Sequence, residues 1–513
     1  MKLAHFLSSY ARQTPDREAL RCDDQHLSFG QFERQSTQLA NLLARHGVAC
    51  GDRVVILLYN RVEFPVAFMG AVKAGAIAVT PNPRLSPSEI GYVLSDAQPK
   101  VVIFENETRA TLMKAEPGNA VCICVDTDAD ANADHQPGES SFAQLEQEDA
   151  QNLPEIPADF DDCMISYTSG TTGKPKGAII TQSNFIVANG FLNAQQWNMT
   201  TADRILVTTP LAHRSGFSRL MNVICLGAGI VFMRHFDAEQ ATQIIERQNI
   251  AVLNMVPTVG RMLMPLIEAQ PERFASLRIA AVTGEAFAVE LKQRLRKALP
   301  NLQLFSFFAM TELGPITSLG PTDQFEKPAS VGRINPGVEV KLVDDDGNAV
   351  ATGESGEIMV RTGPPGRYLT MRAYFNKPEA TAETLQDGWL KTGDMGRFDE
   401  DGYLYIVDRK KDMVLSGGYN IYSKEVEATI HEMPGVHDVA VVGVPDPMFG
   451  EAVAAFVELS ADAELSAEQV IEHCRERIAS YKKPKHVRFV PSLPRNSTGK
   501  VLKYALRESF LQE

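Results

Sequence analysis

No two of the seven cysteines, at 22, 50, 122, 124, 163, 225 and 474, have C-x-x-C spacing. Cys122 and Cys124 stand two apart in an apolar run, so on a strand both would share one buried face. A redox or metal role for cysteine is not expected, and a reducing, cytoplasmic compartment is the default. Long hydrophobic runs are missing as well. The longest, Met221 to Met233, is interrupted by Asn222 and falls short of the roughly 20 residues a membrane span needs. We expect no transmembrane segment. The first twenty residues, MKLAHFLSSYARQTPDREAL, carry charges and a proline too early for a secretory signal. Excess positive charge is absent: 64 acidic residues against 50 basic ones give a formal charge of −14, which argues against general nucleic-acid binding. There is no G-x-S-x-G and no H-E-x-x-H, so no protein nucleophile or zinc helix announces itself.

What is present is an ordinary globular composition, 44% hydrophobic and 22% charged over 513 residues, with enough apolar surface to offset the entropy of ordering. Strand-like and helix-like stretches alternate, which implies parallel sheets buried on both faces. A helix is expected over 30–47, then a short strand from Asp52, a helix, a Gly-Ala step at 75–76 and another strand. The same order recurs from Asp203, with a second Gly-Ala step at 227–228. We read this as an internal duplication of a strand–helix unit, each copy continuing into a helix opened by an acidic N-cap region and a further strand near 101 and 252. The acidic stretch 127–162 reads as a surface excursion. From about 330 the pattern changes to short strands with glycine-rich turns, an antiparallel region. A compact α+β tail follows from near 412, with helices expected over 423–433 and 466–480. Residues 481–503 hold seven Lys or Arg and no acid, either a solvated face or a seat for an anionic ligand.

The densest chemistry lies in Tyr167-Thr168-Ser169-Gly170-Thr171-Thr172-Gly173-Lys174-Pro175-Lys176-Gly177. Four Ser/Thr hydroxyls, three glycines and two lysines in eleven residues suit the binding of phosphate. Bare backbone N–H groups and hydroxyls can wrap phosphate oxygens while the lysines supply charge. It is not a Walker loop, because Pro175 stands where the second glycine should be.

This stretch resembles the signature loop of the adenylate-forming superfamily, which includes acyl-CoA synthetases, amino-acid adenylation domains and luciferases. Further matches follow in that family's order: Phe308-Ala309-Met310-Thr311-Glu312, Thr392-Gly393-Asp394, Asp408-Arg409 through Lys411-Asp412, Ser416-Gly417-Gly418-Tyr419-Asn420, and Pro494 to Lys500. The resemblance implies an α/β fold. A large N-terminal domain, 1–410, would hold two duplicated αβ-layered parallel sheets and a β-barrel-like subdomain over about 330–407. A small mobile α+β domain, 411–513, would follow. It also implies ATP, Mg2+ and CoA as reactants and cofactor.

Carried over residue by residue, the resemblance assigns Thr168 to Lys174, Lys176, Gly284, Phe308 and Ala309 to the nucleotide. Thr311 would bond the α-phosphate and Glu312 would hold Mg2+. Asp394 would bind the ribose hydroxyls, with Arg409 on ribose or phosphate. Lys411 matches the hinge. Lys500 would bridge the carboxylate and the α-phosphate, a charge that can be withdrawn with its domain. His213 borders the carboxylate, and Arg214, Ser215, Asn254, Thr283 and Phe307 line the acid. Gly417 and Gly418 would let the pantetheine arm of CoA approach the backbone.

Several positions depart from the family pattern. Ala309 and Phe307 replace common glycines and add bulk, Glu285 introduces a charge, and Tyr419 stands where glutamate is usual. The filled channel favours a medium-sized aliphatic (fatty) or aromatic monocarboxylate. The expected activity is an acid–CoA ligase. Loading of a carrier protein in trans, a luciferase-type oxygenase and a non-catalytic nucleotide sensor are the rivals. The chain ends thirteen residues after Lys500, which leaves no space for a fused carrier. Partners are expected to be small molecules, with a homodimer left open.

Overall fold

The computed structural model describes residues 2–126, 140–168, 175–284, 287–363, 369–417, 419–461, 463–495 and 501–512. By packing, the chain falls into two compact units, Met1–Glu339 with Arg361–Leu390, and Val340–Val360 with Lys391–Glu513. The strands of the antiparallel region near 340–360 and 391–409 thus group with the C-terminal part.

In the first unit, a seven-stranded sheet has the order Ser140–Ser141, Val121–Cys124, Val101–Phe104, Arg53–Leu57, Ile77–Val79, Asp162–Thr168, Lys176–Thr181. All pairs are parallel except the last. A nine-stranded sheet repeats the pattern: Val252–Met255, Arg204–Val207 and Gly229–Phe232 are parallel neighbours, as are Val101–Phe104, Arg53–Leu57 and Ile77–Val79 in the first sheet. The duplication inferred from sequence is therefore a duplication of sheet topology. Continuous apolar runs explain the strands. Val54 through Leu57 are fully buried, as strands covered by helices on both faces must be.

The helices end as their residues dictate. Gly75 and Gly227 take left-handed φ of +71° and +77° just past helices Glu63–Lys73 and Arg214–Leu226. A Cβ on Gly227 would lie 2.5 Å from the Tyr10 ring, so both freedom and space require glycine. Helix Pro87–Ala97 opens on a capping box of Ser86 and Glu89, with Pro87 at its first position, so its cap is a serine and the acid sits one turn in. Its counterpart Ala238–Arg247 is capped by Asp237. Within the expected surface excursion, residues 140–161 carry a two-residue strand and the short helix Phe142–Gln147.

The second unit holds antiparallel strands Trp389–Phe398 and Leu404–Arg409, with Gly356–Thr362 beside the former. Its C-terminal sheet runs Tyr419–Ile421, Val414–Ser416, Gly450–Leu459, Val436–Asp446, and His486–Val490 lies parallel to Gly450–Leu459. Helices Ser423–His431 and Ala467–Arg477 pack on it. The basic tail is spent largely on acids: Lys482 on Glu425, Lys485 on Asp446, Arg495 on Asp438 and Lys503 on Glu427. The described cysteines form no disulfide. No helix among the described residues is long and apolar enough to cross a membrane.

Candidate active site

Each half of the first unit ends in an antiparallel hairpin. Asp162–Thr168 pairs with Lys176–Thr181, and Thr168 faces Lys176 across the mouth of the hydroxyl-rich loop. That mouth is anchored on both sides. The Tyr167 hydroxyl donates to Asp96 at 2.7 Å, Asp96 also pairs with Lys377 at 3.1 Å, and the Tyr92 hydroxyl donates to the Pro175 carbonyl at 2.9 Å. Ser169, Gly170, Thr171, Thr172, Gly173 and Lys174 lie outside the described residues.

In the second half, strand Gln303–Met310 pairs with Gly314–Leu319, and Thr311, Glu312 and Leu313 form the tip. A bulge at Phe308–Ala309 shifts the register just before it. Glu312 is 5% exposed. A buried carboxylate needs partners, and one of its oxygens accepts from the Tyr374 hydroxyl at 2.9 Å. The same phenol ring carries the Lys176 ammonium 5.2 Å from its centroid, within cation–π range. Tyr374 thus brings a cation from the first hairpin and an anion from the second to one place. Burial and the neighbouring Glu312 carboxylate hold the Tyr374 pKa well above its usual value, so it stays a donor.

The Thr311–Leu313 tip is locked from behind. Arg214, at the start of helix Arg214–Leu226, donates to the Thr311 carbonyl and to the side-chain oxygens of Asn184 and Asn189, and lies over the Phe185 ring. Asn184 donates in turn to the carbonyls of Leu313, at 2.9 Å, and Leu369. Burial pushes the Arg214 pKa down to about 10, still a full charge at neutral pH.

His213 caps the same helix. Its Nδ1 lies 3.1 Å from the Ser215 hydroxyl. Solvent reaches the ring, yet the surrounding protein lowers its pKa by desolvation, so it is neutral at pH 7. Asn254, buried on strand Val252–Met255, donates to the Ser215 carbonyl at 3.4 Å. Thr283 and Gly284 follow strand Ile279–Val282, and Gly284 has φ +100°. Phe305 and Phe307 project to one side of their strand and meet Trp197 at 6.0 and 5.6 Å between ring centroids. Phe308 is half-buried and Ala309 exposed.

In the second unit Asp394 is 3% exposed and faces Arg409 across paired strands, with a 2.6 Å ion pair. Gly393, at φ +70°, precedes Asp394 inside strand Trp389–Phe398, so Asp394 sits in a strand and not in a turn. Asp408 accepts from the hydroxyl of Ser423 at 3.1 Å and from its N–H, fixing the start of helix Ser423–His431. Lys411 is exposed, while Lys410 is held by Asp345 and Glu357. Gly417 takes φ +58° and its N–H donates to the Phe449 carbonyl at 2.8 Å. Tyr419 stacks on Tyr481 at 4.7 Å. Glu285, Gly418 and Lys500 lie outside the described residues.

A family model described as AMP-binding enzyme matches residues 7–375, and one for the AMP-binding enzyme C-terminal domain matches 425–500. The chain belongs to the AMP-binding enzyme family. A long-chain-fatty-acid–CoA ligase of Mycobacterium tuberculosis is 34% identical over 95% of this chain and 94% of its own. Indoleacetate–CoA ligase of Aromatoleum aromaticum is 34% identical over 99% and 98%. Among solved structures, o-succinylbenzoate CoA synthetase of Bacillus subtilis, with its acyl-adenylate intermediate, superposes with a TM-score of 0.85 at 31% identity, covering 98% of this chain and 97% of that one.

Within this AMP-binding enzyme, sequence reasoning missed four residues that the fold packs against the candidate residues or their neighbours. Tyr374 and Asn184 stand in no motif and gave no signal. Trp197 is one of two tryptophans. Arg219 did leave a trace, as the one charge between Ser215 and Met233. Arg214, expected along the acid, has its guanidinium taken up largely by the protein.

A metal reading of Glu312 fits what surrounds it. No group of three or more His, Cys, Asp or Glu side chains able to hold an ion occurs among the described residues. A lone buried carboxylate is what Mg2+ takes when substrate phosphates and water supply its other ligands.

Proposed function

We propose that the chain is an AMP-forming acid–CoA ligase acting on a medium-sized aliphatic or aromatic acid. ATP and the carboxylate give acyl-AMP and pyrophosphate, and the CoA thiol then displaces AMP to form the thioester. The observation that carries this reading is Tyr374, with Lys176 over its ring and Glu312 on its hydroxyl. A carboxylate attacking a triphosphate sets anion against anion, so a cation and a metal-holding acid must lie side by side.

Lys176, with the hydroxyls and lysine of 168–174, grips the phosphates and keeps them from repelling the incoming acid. Mg2+, when held by Glu312, neutralises phosphate charge. Tyr374 keeps the Glu312 carboxylate aimed, while Arg214 and Asn184 hold the Thr311 tip rigid, which suits positioning catalysis. Neutral His213 borders the carboxylate without adding charge. Asp394 offers its carboxylate to the ribose, oriented by Arg409. Gly417 and Gly418, having no side chains, would let the CoA arm approach the backbone. Lys500 stabilises the adenylation transition state and withdraws before thioester formation, with Lys411 as the hinge.

The test is Lys500→Ala in both half-reactions. Pyrophosphate exchange should fall by roughly 10²–10⁴, about 3–5 kcal/mol of barrier, while CoA-dependent AMP release from pre-made acyl-AMP is spared. Equal losses would overturn the two-step reading. Exchange that proceeds without CoA ever accelerating AMP release would make the acceptor a carrier protein.

A further inference from the structure

Helix Arg214–Leu226 is buried along almost its whole length and carries two charges. The first, Arg214, is accounted for by the Thr311 tip. The second, Arg219, is not. It is 3% exposed, and among the described residues its Nε and Nη1 have no hydrogen-bond partner. Its guanidinium lies over the Trp197 ring, 4.5 Å from the centroid. Burying an unpaired charge is costly, and a cation–π contact offsets only a part of that cost. Burial also drives its pKa down to about 9, so the charge persists at pH 7.

Position says where the missing anion would come from. Ser215, Arg219 and Asn222 are spaced i, i+4, i+7 and share one helix face. Ser215 on that face touches His213 and Asn254, and Trp197 beneath Arg219 meets Phe305 and Phe307. These are walls of the acyl site proposed above, and strand Gln303–Met310 leads from them to Thr311. Arg219 therefore stands at the far end of that site. At 1.5 Å rise per residue it is about 9 Å along the helix from His213. Asn193 and Asn222 each keep a buried, unpartnered side-chain oxygen, but neither is an anion and neither bonds Arg219.

We propose that Arg219 is the counter-ion for a second carboxylate on the substrate. The acid that this enzyme activates is a dicarboxylic acid whose two groups are separated by a medium aliphatic chain or a single ring. This inference rests on the acid–CoA ligase reading and replaces the monocarboxylate expected from the filled channel. Trp197 and Phe307 pack the spacer, and the unmet charge of Arg219 selects its end. An uncharged acid of equal length leaves the guanidinium buried and unpaired, and is rejected for that reason.

The test uses the purified full chain, acid-dependent ATP–pyrophosphate exchange, and length-matched pairs such as octanoate with suberate and 3-phenylpropionate with its 4-carboxy derivative. The wild type should favour the diacid by on the order of 10² or more in kcat/KM. Arg219→Met should lose that preference chiefly through KM and turn over the monoacid at least as well as before. Suberate should raise the wild-type melting temperature and leave that of Arg219→Met unmoved. Free Arg219→Met should melt no lower than the wild type, because a buried unpaired charge has been replaced by an apolar side chain of similar length. If that variant does not fold, the wild-type preference and Arg219→Lys decide. A wild type that prefers monoacids overturns the proposal. So does an Arg219→Met that melts lower with unchanged selectivity, which would make Arg219 a structural prop for Trp197. If no acid supports exchange, the ligase reading fails by itself, and the melting shifts with suberate still judge Arg219.

Discussion

The two hairpins that close the duplicated halves do opposite things with the same topology. The first, between Asp162–Thr168 and Lys176–Thr181, leaves seven residues between its facing Thr168 and Lys176 and fills them with glycines and hydroxyls. Its order is imposed at the mouth, by Tyr167, Asp96 and Tyr92. The second, between Gln303–Met310 and Gly314–Leu319, has a three-residue tip fastened from behind by Arg214 and Asn184. The first is held at its mouth, whereas the second is held at its tip, where the buried Glu312 carboxylate is kept in place. Tyr374 ties the two together.

Breaking the rigid tip should have the largest effect on stability. Arg214→Met leaves the Thr311 carbonyl and two asparagine oxygens without their donor inside the protein. We expect a loss of about 2–4 kcal/mol in urea unfolding, together with lost adenylation. A change below 0.5 kcal/mol would show that Arg214 does not fasten the tip. Tyr374→Phe removes the tie but keeps the ring. It should lower pyrophosphate exchange by roughly 10-fold or more, the worth of one hydrogen bond to a charged acceptor, and lower stability by about 1–3 kcal/mol because the buried Glu312 carboxylate loses its donor. An unaltered rate would mean that the hairpins act independently.

The smallest expected effect is a pH dependence from His213 at the cap of the second half's helix. The folded pKa of His213 lies below its ordinary value of 6.5. As pH falls through 6.5, the unfolded chain takes up a proton first and the folded state loses stability. The corresponding helix in the first half, Glu63–Lys73, has Val62 at the cap position and lacks such a group. Between pH 7.5 and 5.5 the wild type should therefore lose more stability than His213→Gln. Parallel curves for the two proteins would remove His213 from the account.

How much of this was readable in advance depended on the spacing of the parts. The strand repeats, the Gly-Ala steps and the hydroxyl-rich loop are local features, and each was legible because a few consecutive residues carry the whole physical argument. Thr311-Glu312, Asp394 and Arg409 were singled out because each sits in a short motif, and the structure gives Glu312 and Asp394 buried surroundings with Tyr374 and Arg409 as their respective partners. Arg214 was seen but assigned to the acid. Its side chain turns instead toward Asn184 and Asn189, thirty and twenty-five residues earlier in the chain, and no spacing rule reveals that direction.

The chain alone settled the class of architecture, since apolar runs of strand length alternating with amphipathic helices can bury themselves only as layered parallel sheets. It also pointed to phosphate as the ligand of the 168–177 loop, since glycine, hydroxyl and ammonium groups close together in sequence suit phosphate binding. Tertiary structure decided which distant groups share a point in space. Tyr374 joins Lys176 to Glu312 across 198 and 62 positions of chain, and Arg219 is left facing Trp197 with its charge unmet. The reason is physical: hydrogen bonds and desolvation act over a few ångströms of space, and only packing fixes which residues lie within that range.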